Sequence, residues 1–248
     1  MSLVTVIIPY FKKRKYIQDT INTVVNQTYK NLEVIIIYDD TDMSDLNYLE
    51  KITKLDNRII IIKNKNNLGA GLSRNEGIKK SSGEYIAFLD ADDLWHTEKI
   101  SKQIYFMKQN YSTISHTSYS VINDKTKNII SLRQAKNFNH VNELLKSCDI
   151  GLSTVMLKKS ILLHNNIEFP DLKTKEDFVL WLKLLIHRNK IFALKENLMT
   201  WRKSKNSLSS SILQKILDGF KVYNVHMEFN FIKSIYYLIC LSFNYLKK

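Results

Sequence analysis

Tyr85-Ile86-Ala87-Phe88-Leu89-Asp90-Ala91-Asp92-Asp93-Leu94-Trp95 is the stretch on which the fold turns. Tyr85 to Leu89 read as a buried strand, and three carboxylates follow within four residues. Crowded like charges repel and resist ionisation unless a cation lies between them. An all-oxygen donor set suits Mg2+ or Mn2+, hard ions that commonly hold substrate phosphates as well. The alternative role for the same residues is a solvated acidic turn.

Two other metal motifs share the D-x-D spacing and are excluded. An EF-hand loop needs an acid or Asn at its fifth position and Gly at its sixth, where Leu94 and Trp95 stand. A haloacid-dehalogenase phosphatase carries its motif after the first strand, with Thr or Val in place of Leu94.

Upstream, two hydrophobic periods alternate. Val4 to Ile8 is a β-branched run closed by Pro9, and Leu32 to Ile37 is a second, stopped by Asp39-Asp40. Ile59 to Ile62 is a third strand, so the Tyr85 strand is the fourth. Between them, Tyr16, Ile17, Thr20, Ile21, Val24 and Val25 keep helical spacing, and Leu72 to Lys79 reads as a helix. This order predicts an α/β fold with a mixed, mainly parallel sheet flanked by helices. Ligands of such sheets bind outside the carboxyl ends of the strands. Pro9-Tyr10, Asp39-Asp40 and Asp90 to Asp93 are therefore expected along one edge.

Asn67-Leu68-Gly69-Ala70-Gly71-Leu72-Ser73-Arg74 precedes and opens the second helix. Glycines there let backbone approach a ligand, and a helix N-terminus favours phosphate. The pattern is neither G-x-G-x-x-G nor a P-loop.

Downstream, Lys99 to about Asn110 reads as a helix and Ser112 to Asn123 as a strand, with an unpatterned polar stretch through Asn139. Phe178, Trp181, Leu182 and Leu185 form an amphipathic helix preceded by Lys175-Glu176-Asp177. Carboxylates at a helix start are also favoured by the dipole, so capping is their alternative role. His116, His140 and His164 have no metal-ligand spacing.

The whole chain has 248 residues, 44% hydrophobic and 25% charged, with 6 Gly, 2 Pro and 2 Cys. That balance fits a globular domain and excludes disordered and collagen-like chains. Cys148 and Cys240 form no CxxC, which argues against a disulfide framework or cysteine zinc site. The net charge of +13 asks for an anionic partner. With Lys far outnumbering Arg and no zinc-finger or RNP-like motif, nucleic acid is not that partner. No cleavable signal is legible at the N-terminus, so a cytoplasmic location is expected.

The chain divides into a domain over 1–212 and an amphipathic helical tail over 213–248. Within the tail, Ser234 to Leu246 is an uncharged 13-residue run, short of the about 20 that a span needs. Its aromatic surface and flanking lysines fit a helix on the inner face of an anionic membrane. Packing on the domain, or on a second copy in a homo-oligomer, is the alternative.

In order, Val6-Ile7-Ile8-Pro9, Asn26-Gln27-Thr28-Tyr29, Tyr38-Asp39-Asp40, Asn67-Leu68-Gly69, Ala70 to Ile78, Leu89 to Asp93, Glu176-Asp177 with Leu180-Trp181-Leu182, and Trp201-Arg202 with Ser207 resemble the family-2 glycosyltransferases of the GT-A fold. The resemblance spans roughly residues 3 to 210. It implies an inverting hexosyltransferase that uses a nucleotide-sugar donor, a UDP-sugar by preference, with Mn2+ or Mg2+. The acceptor it implies is a glycan or lipid-linked oligosaccharide of bacterial surface polysaccharide (O-antigen, capsule or lipooligosaccharide) synthesis.

By the same resemblance Pro9, Tyr10, Asp39, Asp40, Gly71, Arg74, Asp90 and Ala91 bind the donor, with Asp39 accepting a hydrogen bond from the nucleotide base, Arg74 near that base and Asp90 near the ribose. Asp92, with Asp90, holds the metal. Asp177 is the general base with Glu176 beside it, and Arg202 and Ser207 belong to a loop closing over the diphosphate. The chain departs from the family at Thr41-Asp42, at Tyr10 to Lys13 and at Trp201, none of which is a proposed metal ligand or base. A nucleotidyltransferase and a non-catalytic membrane-surface adaptor are the competing functions.

Overall fold

The computed structural model describes residues 1–54, 56–203 and 212–246. In chain order the elements are β1 (Val4–Tyr10), α1 (Arg14–Val25), β2 (Leu32–Tyr38), α2 (Leu46–Thr53), β3 (Ile59–Lys63), α3 (Ala70–Lys80), β4 (Tyr85–Phe88), β5 (Leu94–Trp95) and α4 (Lys99–Gln109). There follow β6 (Ile114–Asn123), β7 (Ile129–Arg133), α5 (Val141–Leu144), β8 (Met156–Lys158), α6 (Lys159–His164), α7 (Glu176–Ile186), β9 (Phe192–Lys203), α8 (Ile212–Lys221) and α9 (Phe231–Leu246).

The strands form one mixed sheet in the order β3-β2-β1-β4-β8-β6-β9-β5, with β7 paired on β6. Its first half, β3 to β4, is parallel. β8 then runs antiparallel to both β4 and β6, and β9 is parallel to β6. The α/β fold expected from the alternating periods is the one observed.

Both faces of β1, β2 and β4 are buried, which is why they read as near-continuous apolar runs, whereas the edge strand β3 leaves Ile60 exposed. On β1 and β2, Val4, Val6, Ile8, Val34 and Ile36 join one core with Ile17, Ile21 and Ile100 of α1 and α4. Ile7, Ile35 and Ile37 point the other way, into a core with Phe88, Phe178, Trp181 and Leu185. Gly77 lets α3 close onto that face, because a Cβ there would stand 2.6 Å from Ile7 Cγ2.

The tail is not one helix. α8 passes into a π-helical turn, Val222–His226, and the chain reverses near Glu228, at φ 54°, before α9. Gly219 permits a close crossing, since a Cβ there would lie 2.8 Å from Leu238 Cδ1 of α9. Val222, Tyr223 and Leu241 are buried in the core that holds Phe178 and Trp181. Burial of an aliphatic side chain such as Val222 or Leu241 contributes about 2 kcal/mol, so the two helices are anchored to the body. Their outer face keeps Leu213, Ile216, Leu217, Ile232, Ile239 and Phe243 exposed. Packing on the domain and an apolar outer face, set against each other by the sequence, coexist. Among the described residues no helix is long and apolar enough to cross a membrane.

Candidate active site

The register of the parallel strands places the acidic segments. Pro9 and Tyr10 pair with Ile37 and Tyr38, and Ile7 pairs with Phe88, so Asp39-Asp40 and Asp90 to Asp93 leave the same edge. The chain then turns sharply, with the Asp93 N–H donating to the Asp90 carbonyl at 3.0 Å.

Asp93 faces inward as a brace. Ser153 Oγ accepts from the Asp90 N–H at 3.0 Å and donates to Asp93 Oδ2 at 2.6 Å. The Arg202 N–H reaches Asp93 Oδ1 at 3.3 Å, and Trp95 Nε1 donates to the Ser153 carbonyl at 2.7 Å. Burial, with Asp90 and Asp92 close by, holds the Asp93 carboxyl well above its usual range. Asp93 is thus withdrawn from the acidic triplet, and Asp90 and Asp92 remain.

Arg74 is the hub of the site. Its buried guanidinium donates to Asp90 Oδ1 at 2.7 Å and to Glu176 Oε1 at 2.8 Å, joining the D-x-D turn to the start of α7. Its ring neighbour is Phe169, 5.4 Å away. The resemblance put Arg74 beside a base; here it lies between acids. Gly71, one turn earlier, is the close approach that allows this. A Cβ there would meet Glu176 Cγ at 3.0 Å and the Pro170 carbonyl at 3.1 Å.

Burial pushes the Glu176 carboxyl up to about 7, with Arg74 opposing and Asp177 adding repulsion. The Asp177 carboxyl is raised too, by burial, against the pull of Lys175 and Arg74. Its Oδ1 accepts the Phe178 N–H at 2.7 Å. Two adjacent carboxyls, both raised above their usual range, have the character of an acid–base site.

Asp39 acts as a support. Its carboxylate accepts from the N–H groups of Leu68 and Gly69, each at 2.8 Å, and from Asn64 Nδ2 at 2.7 Å. These bonds fix the loop that ends at Gly69, whose φ of 83° suits glycine, and so set where α3 begins. The base contact implied for Asp39 would add to three donors already present. Asp40 is buried and accepts the N–H of Asp42 at 3.1 Å. Pro9 is half-buried near the end of β1, and Ala91 is buried with its carbonyl 3.0 Å from Thr20 Oγ1.

Two expectations from the sequence need correction. Tyr10 does not face the edge: its ring is buried and stacked on Tyr38, and its hydroxyl donates to Asp45 at 2.7 Å. The period-2 alternation of β1 puts it on the inner face with Ile8. Arg202 stands on a strand, not on a loop. Pairing of β9 with β6 continues through Arg202, whose buried guanidinium contacts Asp19 at 2.9 Å. Ser207 lies outside the described residues.

Lys13 and Ser153 are site residues that sequence reasoning did not find. Lys13, in the segment that departs from the family, places its ammonium 2.6 Å from Asp92 Oδ2. Burial raises the Asp92 carboxyl and Lys13 opposes that shift. Ser153 carries no local motif, and only the fold brings it under the turn.

A divalent cation can be tested against these residues. Among the described residues no three His, Cys, Asp or Glu side chains are grouped to hold a metal. Yet Asp90, Asp92, Asp93, Glu176 and Asp177 crowd one region, and among the described residues Lys13 and Arg74 are the cations ion-paired to them. Four of those carboxyls are raised, first by burial and then by a neighbouring acid, and a bound cation would offset both. Asp92 and Asp90 thus fit an Mg2+- or Mn2+-type ion that takes its other ligands from phosphate and water.

A family model described as glycosyl transferase family 2 matches residues 5–162. The chain is 34% identical over 239 residues to WfgD of Escherichia coli, a UDP-Glc:alpha-D-GlcNAc-diphosphoundecaprenol beta-1,3-glucosyltransferase, across 96% of this chain and 91% of that protein. It is 30% identical over 246 residues to TuaG of Bacillus subtilis (strain 168), named as a glycosyltransferase of teichuronic acid biosynthesis, across 99% and 97%. Among solved structures, S. aureus TarS 1–349 in complex with UDP-GlcNAc superposes with a TM-score of 0.75 at 21% identity, over 95% of this chain and 70% of that one. PcManGT from Pyrobaculum calidifontis, in complex with GDP-Man and Mn2+, gives 0.70 at 12% identity over 92% and 65%. These two likenesses concern the fold, which is GT-A. By its sequence, this chain belongs to glycosyl transferase family 2 and is a glycosyltransferase.

Proposed function

We propose that the protein is an inverting glycosyltransferase of bacterial surface polysaccharide synthesis. It moves a sugar from a UDP-sugar to a hydroxyl of a lipid-linked glycan. The observation that carries this reading is the Arg74 bridge, which joins the D-x-D turn to the Glu176-Asp177 pair. WfgD, similar along nearly its whole length, supports the lipid-linked acceptor, and TuaG supports the setting in surface polysaccharide synthesis.

In the proposed reaction Asp177 takes the proton of the acceptor hydroxyl. The hydroxyl oxygen bonds to the anomeric carbon as the bond from that carbon to the diphosphate oxygen breaks. The nucleoside diphosphate leaves with the electron pair, and a single displacement inverts the configuration. A divalent cation on Asp92 and Asp90 would supply charge stabilisation to the leaving diphosphate. Arg74 keeps Glu176 and Asp90 apart in charge and together in space. Lys13, 2.6 Å from Asp92 Oδ2, brings a further positive charge to the same turn.

The exposed apolar face of α8 and α9, with Lys215, Lys221 and Lys233 on those helices, supports peripheral contact with the inner face of an anionic membrane, where a lipid-linked acceptor is presented. The same face against a second copy would give a homo-oligomer instead.

The deciding experiment incubates the chain with a panel of nucleotide-sugars, Mn2+ and polyprenyl-diphosphate-linked sugars, and follows both UDP and the new linkage. Asp177→Asn should abolish transfer while UDP still binds. A variant retaining near-normal turnover removes the base assignment. Release of pyrophosphate in place of UDP would identify a nucleotidyltransferase.

A further inference from the structure

We propose that Asp218, on the tail helix α8, is a positioning residue for the Glu176-Asp177 pair, acting through Thr174. This rests on the glycosyl-transfer reading and adds to it a residue outside the span matched by the family model, residues 5–162. Asp218 is fully buried. Its Oδ2 accepts from both the N–H and the hydroxyl of Thr174, each at 2.9 Å, and its Oδ1 accepts from Gln214 Nε2 at 2.9 Å. A carboxylate taking two donors from one residue fixes that residue in position and in rotation.

The residues after Thr174 give the clamp its purpose. Lys175 has φ 70° and ψ 8°, a left-handed conformation that a side chain other than glycine rarely adopts. Such a residue persists only where its surroundings hold it. Glu176 and Asp177 come next, as the first two residues of α7. Released from Asp218, Lys175 is free to relax to negative φ, which would swing both acids. On the far side Arg74 holds Glu176, and Tyr223 of the π-helical turn packs edge-on to Phe178 at 6.3 Å. The acids are therefore gripped from α3 on one side and from the tail on the other.

α8 itself is secured for this task. The crossing at Gly219, next to Asp218, brings α9 so near that a Cβ there would stand 2.8 Å from Leu238 Cδ1. The opposite side of α8 carries the exposed Leu213, Ile216 and Leu217. One helix thus bears the clamp on its inner side and the apolar surface on its outer side.

The test uses the full chain and the nucleotide-sugar that the wild type hydrolyses fastest in a panel of UDP-, GDP- and dTDP-sugars. Release of the nucleoside diphosphate gives kcat and KM, and its binding is measured by calorimetry. Asp218→Asn, of the same shape, should lower kcat about 10- to 100-fold, the size of effect that a small misplacement of a reacting group produces. KM and nucleotide affinity should stay within about threefold, since the donor contacts are untouched. Thr174→Val should reproduce the loss and Thr174→Ser should restore it; this pair carries the test if Asp218→Asn fails to fold.

A folded Asp218→Asn with wild-type kcat overturns the inference. So does a loss in which KM rises as kcat falls, which would mark general damage to the fold. Turnover in the wild type that is indifferent to Asp177→Asn overturns the underlying reading, and is told apart because it appears without touching Asp218.

Discussion

Glu176 lies 2.8 Å from the guanidinium of Arg74, across 102 positions of chain, and that contact ties a helix of the parallel half to one of the C-terminal half. Arg74 is the cation that restrains the Glu176 carboxyl, which burial raises to about 7 even against that restraint. The base must be ionised to accept a proton, so transfer falls as pH drops through the raised carboxyl range. Arg74→Met removes a charge that favours the ionised forms of both Glu176 and Asp177. The acid limb of kcat should therefore move to higher pH, and kcat at neutral pH should drop by about 100-fold or more. A pH–rate profile checks this; an acid limb in its wild-type place would mean that Arg74 does not govern the base.

Gly71→Ala tests the same geometry from the other side. Alanine is the better helix former by about 1 kcal/mol, so propensity alone would stabilise α3. The added Cβ would meet Glu176 Cγ and the Pro170 carbonyl at 3.0–3.1 Å, and Glu176 must yield. Overpacking of this kind costs about 1–3 kcal/mol. The expected result is a folded protein with a melting temperature within a few degrees of wild type and kcat reduced about tenfold or more. Full activity would show that Glu176 shifts without consequence.

How far the sequence can be read depends on the surroundings of each element. β1, β2 and β4 are buried on both faces, so each is a near-continuous apolar run, broken at Thr5 in β1 and Glu33 in β2, that needs no context. β9 is not legible: Lys195-Glu196-Asn197 interrupts it, and its register against β6 slips near Ser118. α2 is short and buries only Leu46, Leu49 and Thr53. At the site, the D-x-D turn and Glu176-Asp177 stand out because adjacent buried carboxylates are costly without a purpose. Arg74 can be assigned to the region but not to its partners, because the Asp39-bound loop that aims α3 is a tertiary feature. Tyr10 is misplaced by its motif, which marks the strand end without saying which face the ring takes. Asp218 has a signal, an acid on the inner face of an amphipathic helix, that carries no meaning until Thr174 is seen beside it.

Asp92→Asn addresses the cation. The substitution keeps shape and removes the charge that a hard ion needs, while Lys13 loses its partner. In the wild type, Mn2+ should tighten UDP binding and a chelator should weaken it. In the variant, UDP affinity should be the same with Mn2+ and with chelator. If Mn2+ strengthens binding to both proteins equally, Asp92 is not a ligand.

The tail calls for substitutions in place of truncation, because deleting residues 213–248 would strip Val222, Tyr223 and Leu241 from the main core. Leu213, Ile216 and Leu217 are between 46% and 69% exposed, so changing all three to Ser leaves the buried side of α8 intact. Surface changes of this sort move stability little, and the melting temperature should hold within a few degrees. Each lost side chain removes apolar area that would enter the headgroup region, worth on the order of 1 kcal/mol apiece when fully buried there. The triple variant should therefore bind anionic vesicles about tenfold or more weakly in a sedimentation assay, and raising salt should weaken the wild type as well. Equal sedimentation of both proteins would remove the bilayer as the occupant of this face. A concentration-dependent dimer in the wild type that is lost in the variant would instead assign the face to a second copy.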